Sequence, residues 1–377
     1  MALILNEEQQ MLQDAARDFL AERAPVVHLR VLRDEDVEER FSRKLWTEMA
    51  ELGWPAILVP EQHGGLEYGY SGLGIVLQET GRTLTPSPLL ATALTGVTAL
   101  TAAGSQAQCA EILPRVAAGE LLLALACDES SRHRPKRVET RAEKSADGYT
   151  LNGRKTAVHD GHAADLFIVS ASTGKGVSLF LVPADADGVK VEPYPVLDIS
   201  AAANVTFENV ELPSDSLLGE LEGGGPVLER VLDAARIGAS AELLGLAIEA
   251  FDRTMDYIKQ RKQFGVPVGS FQGLQHRAAK LYAEIELCKS LVIKALQVLD
   301  ESAKQPLGGV PELASATKAK LCETAHTAAN EAIQMHGGIG MTDEFEIGFF
   351  LKRCQILEAL YGDRYFHWNR YARLGGY

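Results

Sequence analysis

Long apolar runs are missing from this chain. No stretch approaches the about 18 apolar residues that a membrane-spanning helix requires. The opening MALILNEEQQMLQDAARDFL holds acids and glutamines where a secretory signal has a basic start and an apolar core. Cysteine is scarce too. Cys109, Cys127, Cys288, Cys322 and Cys354 are scattered with no CxxC spacing, so neither a disulfide framework nor a zinc or redox centre is expected, and the thiols read as buried and reduced. Positive charge is in deficit: 37 Lys and Arg stand against 51 Asp and Glu, a net charge of −14. A chain this acidic has no attraction for nucleic-acid phosphates or for an anionic membrane face. The expectation is a cytoplasmic globular protein with no metal site, no nucleic-acid partner and no membrane partner.

What is present falls into three textures. The 377 residues are 46% hydrophobic, enough to bury a large core. From Asn6 to about Gly104 apolar residues recur at helical steps, through Met11, Leu12, Ala15, Phe19 and Leu20, then Leu45, Met49 and Leu52, with another helix from Leu73 to Thr83 stopped by Pro86 and Pro88. Between about Leu121 and Glu220 come short β-rich runs, LLLALAC, VETRAEKS, YTLNGRKTAV, DLFIVSAS, VSLFLVPA, VKVEPYPV and NVTFENVEL, parted by turn dipeptides such as Asp147-Gly148 and Asp187-Gly188. After Pro226 the helical period returns over Val227–Ile258, Gly273–Leu299 and Glu312–Met335, the last two joined by a loop from Gln305 to Pro311. The predicted fold class is α+β and multidomain: an N-terminal α-helical domain over 1–118, a middle β-barrel or sandwich over 119–222, and a C-terminal four-helix bundle over 223–377.

Two motifs in the last third point to a ligand. Arg261-Lys262-Gln263-Phe264-Gly265, running on to Gln272, lies between two long helices; its arginine offers a rigid fork of donors suited to a pyrophosphate, and glycine lets backbone approach a ligand closely. Some seventy residues on, Gln334-Met335-His336-Gly337-Gly338-Ile339-Gly340 supplies an amide and glycines that suit a nucleotide. Each motif alone also fits an ordinary helix end with solvated side chains.

Taken with LGWPAILVPEQHGG, LNGRKTAVHDGHAADLFIVSA, NVTFENVELPSDSLLGE and a final helix ending in Arg373-Leu374, the pair resembles the acyl-CoA dehydrogenase family over nearly the whole chain. The resemblance implies an FAD cofactor at a subunit interface and an acyl-CoA substrate. It also implies electron-transferring flavoprotein as acceptor, and a reaction in which a carboxylate removes the α proton while a β hydride passes to flavin. The residues that match the family's grip on the nucleotide end of a neighbouring subunit's FAD are Arg261, Phe264, Gln272, Gln334, Gly337 and Gly338.

The flavin-ring and substrate end departs from the family. After Asn152-Gly153-Arg154-Lys155, the places of an aromatic and a hydroxyl residue hold Ala157 and His159. A Thr-Glu-Pro-x-x-Gly-Ser-Asp type loop, which in the family donates hydrogen bonds to flavin and pantetheine, is replaced by Asp128-Glu129-Ser130-Ser131-Arg132-His133-Arg134-Pro135. Of the two homes of the family's Glu base, one holds Tyr361 and the other Ala235, beside Arg236. Asp233 points to the opposite helix face, about 200° away, and Val231, Leu232, Gly238 and Ala239 on the near face do not titrate. Arg236 and His159 are the candidate substrate-side residues. Asp363, two residues past Tyr361, reads as a substitute base or as the N-cap of a helix from Arg364 to Leu374. Three readings stand: the complementing subunit of an α2β2 enzyme whose homologous, Glu-containing sister does the chemistry on a steroid or other bulky acyl-CoA; a self-sufficient homomer using Asp363 or another base; and a non-catalytic scaffold.

Overall fold

A computed structural model describes residues 3–35, 39–194, 196–305 and 308–377. Pro306 and Leu307 of the expected 305–311 loop, and Pro195 of the VKVEPYPV run, lie outside the described residues. The chain forms two compact units, one of Met1–Glu35, Tyr70–Thr85 and Arg236–Tyr377, the other of Asp36–Gly69 and Pro86–Ala235. The last passage of the chain from one to the other falls between Ala235 and Arg236.

In the first unit lie α1 (Glu7–Arg23) and α2 (Val26–Asp34), and α4 (Tyr70–Thr83) follows α3 (Arg43–Glu51) of the second. Asn6 and Gln9 close a reciprocal capping box on α1. The expected apolar stripe of α1 is narrower than its letters suggest: Ala16 and Leu20 are buried, whereas Met11 and Ala15 face water. An ion pair adds to that apolar hold, with Arg17 donating at 3.2 Å to each oxygen of the buried Glu79 on α4.

The second unit continues with a π-helical stretch, Leu89–Gly96, then α5 (Val97–Ala103) and α6 (Gln106–Ala117). The expected β runs become β1 (Leu123–Ala126), β2 (Arg141–Lys144), β3 (Gly148–His159), β4 (Leu166–Ser172), β5 (Val177–Pro183), β6 (Val189–Tyr194) and β7 (Ala202–Pro213), with a two-residue β8 (Leu217–Leu218). They form one mixed sheet in the order β6-β7-β3-β2-β4-β5-β8, with β1 parallel to β4. Residues from all of these strands meet in a single core around Leu151, Phe167, Phe180, Phe207 and Val210. Burying each such phenylalanine contributes about 2–3 kcal/mol.

The C-terminal helices are α7 (Gly224–Gln260), α8 (Gln272–Lys304), α9 (Val310–His336), α10 (Ile347–Ala359) and α11 (Arg364–Leu374). The last matches the helix expected after Asp363. Helices α8, α10 and α11 all pack on α9. Contact between α4 and α7 is backbone on backbone: a Cβ on Gly245 would stand 1.7 Å from the Gln78 carbonyl oxygen, and one on Gly81 2.1 Å from that of Glu242. Any larger residue would drive the helices apart. A buried ion pair, Arg353 to Glu242 at 2.6 Å, ties α10 to α7. Asp300 of α8 caps α4, accepting from the Tyr70 and Ser71 amides and from the Ser71 hydroxyl. Burial pushes its carboxyl above the usual range.

Candidate functional site

The two ligand motifs meet in the first unit. Between α7 and α8 the chain makes a two-residue hairpin, β9 (Lys262–Gln263) against β10 (Val266–Pro267), closed by Val268 N–H donating to the Arg261 carbonyl at 2.8 Å. Its turn residues, Phe264 and Gly265, both have positive φ, +55° and +81°, which is the type I′ geometry of tight hairpins. That conformation disfavours a phenylalanine, and the residue is 91% exposed, its ring edge-on to Phe271 with centroids 6.1 Å apart. Arg261 is exposed, with no side-chain hydrogen bond or ion pair among the described residues.

One turn before Arg261, Tyr257 stacks on His336 at 4.3 Å, and Phe345 lies 4.9 Å from the same imidazole. His336 Nδ1–H donates to the Ala332 carbonyl at 2.7 Å, and burial pushes the ring's pKa below its ordinary value, so it stays neutral at pH 7. This aromatic stack draws the end of α7 and the end of α9 together, and with them Arg261 and the Gln334-to-Gly338 segment. Gln334, Gly337 and Gly338 are exposed. Gly337 adopts φ +67° and ψ −141°, a conformation essentially confined to glycine, and a Cβ there or on Gly338 would meet only open space. Gln272 opens α8, exposed as well. An arginine fork, an amide and two bare glycines facing outward fit an anionic, planar group arriving from outside the chain.

The segment holding Tyr361 and Asp363 belongs to the same unit and is differently built. Tyr361 is buried with φ +59°; its carbonyl accepts from Arg236 Nε at 3.4 Å and lies 3.2 Å from His367 Nε2. Arg236 is fully buried, its guanidinium 5.5 Å from the Phe366 ring centroid. Lys318, also fully buried, donates to the carbonyls of Leu357 at 2.8 Å and of Glu358 and Gly362 at 3.1 Å. It serves as a cationic cap on α10, whose last carbonyls have no partner within the helix. Asp363 is the N-cap of α11, exposed and accepting from Phe366 N–H at 2.8 Å. Ala235 is buried.

In the second unit the loop after β1 is closed on itself. Asp128 accepts from the Arg134 amide at 2.9 Å and pairs with His133 Nδ1 at 2.7 Å, while Glu129 accepts from the amides of Glu139 at 2.5 Å and Thr140 at 3.0 Å. Glu129 also takes Lys155 Nζ at 2.6 Å, and that lysine, fully buried, gives a further bond to Ser170 Oγ at 3.0 Å. Burial pushes the Glu129 carboxyl up, but Lys155 and Thr140 together outweigh it and hold the group below its ordinary value. Arg132, Arg134, Lys136 and Arg137 are exposed, Arg137 pairing with Glu139 at 2.6 Å. Across the sheet β3 bulges against β7 between Lys155 and Val158, Ala157 takes φ +52°, and its amide donates to Asn204 Oδ1. His159 is buried with Nε2 3.5 Å from Asp160. At this end Ala157 offers no aromatic side chain, and the amides of Arg134, Glu139 and Thr140 are taken up by Asp128 and Glu129.

The Lys155–Glu129 pair and the Tyr257–His336–Phe345 stack were not anticipated. Strand alternation marks the first, since Leu151 and Lys155 fall on one parity and both turn inward. The second joins residues about eighty positions apart with no local signal. Among the described residues no group of three His, Cys, Asp or Glu is placed to hold a metal ion, no helix is long and apolar enough to cross a membrane, and the five cysteines are buried and form no disulfide.

Comparison with known proteins places relatives beside this geometry. The chain matches the models of the acyl-CoA dehydrogenase N-terminal domain over residues 6–120, the middle domain over 126–210 and the C-terminal domain over 222–374. It is 30% identical over 368 residues to probable acyl-CoA dehydrogenase YngJ of Bacillus subtilis, covering 94% of each chain. Among solved structures it is 30% identical to a variant of the Tcur3481-Tcur3483 steroid ACAD, covering 98% of each chain with a TM-score of 0.88. Against the butyryl-CoA dehydrogenase of Megasphaera elsdenii it is 25% identical, covers 100% of each chain and has a TM-score of 0.91.

Proposed function

Since the chain belongs to the acyl-CoA dehydrogenase family of oxidoreductases, we propose that it takes part in FAD-dependent α,β-dehydrogenation of an acyl-CoA as the complementing subunit of an α2β2 enzyme. One contrast carries this reading. The groups suited to a nucleotide, Arg261, Phe264, Gln272, Gln334, Gly337 and Gly338, are all exposed, whereas Asp128 and Glu129, at the place of the family's flavin-ring loop, turn inward to the amides of Arg134, Glu139 and Thr140, and Ala157 stands where the family has an aromatic. The chain thus gives to a neighbour's cofactor what it does not keep for one of its own.

When bound, FAD supplies the hydride acceptor. The residues here do the holding: Arg261 neutralises phosphate charge with a fork of N–H donors, Gln334 hydrogen-bonds the nucleotide, and Gly337 and Gly338 bring backbone against it. Proton abstraction from a carbon acid requires a positioned base within hydrogen-bond reach. Tyr361 and Ala235 offer no carboxylate, and Asp363 is engaged as a helix cap in contact with water. The base is therefore assigned to a homologous Glu-containing sister, and Arg236 and His159 become support for packing around the segment and the strand they occupy. A steroid or other bulky acyl-CoA is the substrate class favoured, because the solved relative at 30% identity is a steroid ACAD. Electron-transferring flavoprotein is the acceptor that family membership favours.

The test is a flavin count. Purified alone, the chain should hold little FAD and turn over no acyl-CoA; co-expressed with an adjacently encoded Glu-containing homologue, it should yield two flavins per four chains and activity. Full flavin loading and turnover by the lone chain would overturn the proposal.

A further inference from the structure

Helix α2 presents Arg30 and Arg33, three residues apart and so on one face, to Asp343. Arg33 Nη1 and Nη2 donate to the two carboxylate oxygens at 2.7 and 2.9 Å, and Arg30 Nη1 adds a third bond at 2.8 Å. Both guanidinium groups also lie over the Phe349 ring, 5.1 and 5.5 Å from its centroid. Asp343 stands two residues beyond Met341, where the Gly337–Met341 turn ends, and Thr342 closes that turn by donating its amide and hydroxyl to the Ile339 carbonyl. The turn is consequently gripped at both ends, by the His336 stack on entry and by the arginine pair on exit. Between them Gly337 and Gly338 have open space where a side chain would be.

We propose that Asp343, held by Arg30 and Arg33, is a positioning residue that fixes the glycine turn in the shape that receives the nucleotide. The inference rests on the reading of that turn as a nucleotide site. An isolated surface ion pair does little, but a bidentate arginine with a second arginine and an aromatic platform leaves the carboxylate little freedom. Its effect is local geometry more than global stability. The arginines draw the Asp343 carboxyl down to about 2, so the clamp stays charged throughout the working pH range.

Two measurements on Asp343→Asn, Asp343→Glu and the double variant Arg30→Ala/Arg33→Ala decide it. In the lone chain, amide hydrogen exchange over 339–343 should quicken about 10-fold in Asp343→Asn and in the double variant, with an unchanged melting temperature, while Asp343→Glu stays near wild type. In the co-expressed complex, the FAD dissociation constant should rise about 5- to 30-fold in the same two variants and recover in Asp343→Glu. Adding Asp343→Asn to the double variant should change neither readout further, since all three residues act as one device. Wild-type exchange rates in Asp343→Asn would overturn the clamp. Faster exchange with an unchanged FAD constant would overturn its positioning role. If no complex, wild type included, binds FAD, the nucleotide reading of the turn has failed, and the exchange rates still decide whether the clamp exists.

Discussion

Two regions of this chain are rich in groups that a cofactor would use, and they treat those groups in opposite ways. At the hairpin and glycine turn after α7 and α9, donors are left outside, and even a phenylalanine stands in water on a strained turn. At the loop after β1, two carboxylates and a buried lysine satisfy the loop from within. A polar group left without a partner on a surface is cheap to keep only because water solvates it, so exposure alone proves little. The strained, exposed Phe264 is different, because neither solvent nor backbone geometry favours it. The difference is one of availability: the first region holds groups outward against local preference, and the second consumes its polar groups in satisfying itself.

The contrast can be broken from either side. The largest expected effect is on the closed loop: Glu129→Gln strands the Lys155 ammonium inside the sheet and should cost about 3–5 kcal/mol in urea unfolding of the lone chain. Its sign with pH is fixed. Because the folded carboxyl lies below the ordinary value of 4.5, its contribution is present above that value and lost as pH falls through the folded pKa. The variant should flatten that acid limb, and an unchanged limb would remove Glu129 from the account. Next, Arg261→Ala should weaken FAD binding by the complex about 10- to 100-fold, the size of a lost charged hydrogen bond, yet leave the unfolding of the lone chain alone.

Smaller effects sharpen the same comparison. Gly337→Ala should destabilise the lone chain by about 1–3 kcal/mol from backbone strain alone, whereas Gly338→Ala, with ordinary φ and open space, should be neutral there. Both should weaken FAD in the complex if backbone approaches the ligand. Smallest is Phe264→Ala, expected to shift lone-chain stability by no more than about 0.5 kcal/mol. Equally small effects on assembly and on FAD binding by the complex would mean that the exposed ring serves neither.

Much of the architecture was legible because periodicity is local. The runs YTLNGRKTAV and DLFIVSAS fall on β3 and β4, and Arg364–Leu374 is the last helix as expected. Where charge supplements apolar contact, the letters misled: Met11 looked like core but faces water, and α1 is also fastened by Arg17 to Glu79. The hairpin around Phe264 escaped because its turn uses a phenylalanine where Asn or Gly would signal it. The grip of Arg30 and Arg33 on Asp343 crosses more than three hundred residues, and no short window contains it.

Lys318 has a consequence in time as well as in energy. With its ammonium enclosed and shared among three carbonyls, lifting the stretch from Glu358 to Gly362 would strip partners from a buried charge. Small fluctuations are therefore suppressed there, and amides in this stretch should exchange only through events that open the helices around α9, on the clock of unfolding instead of loop motion.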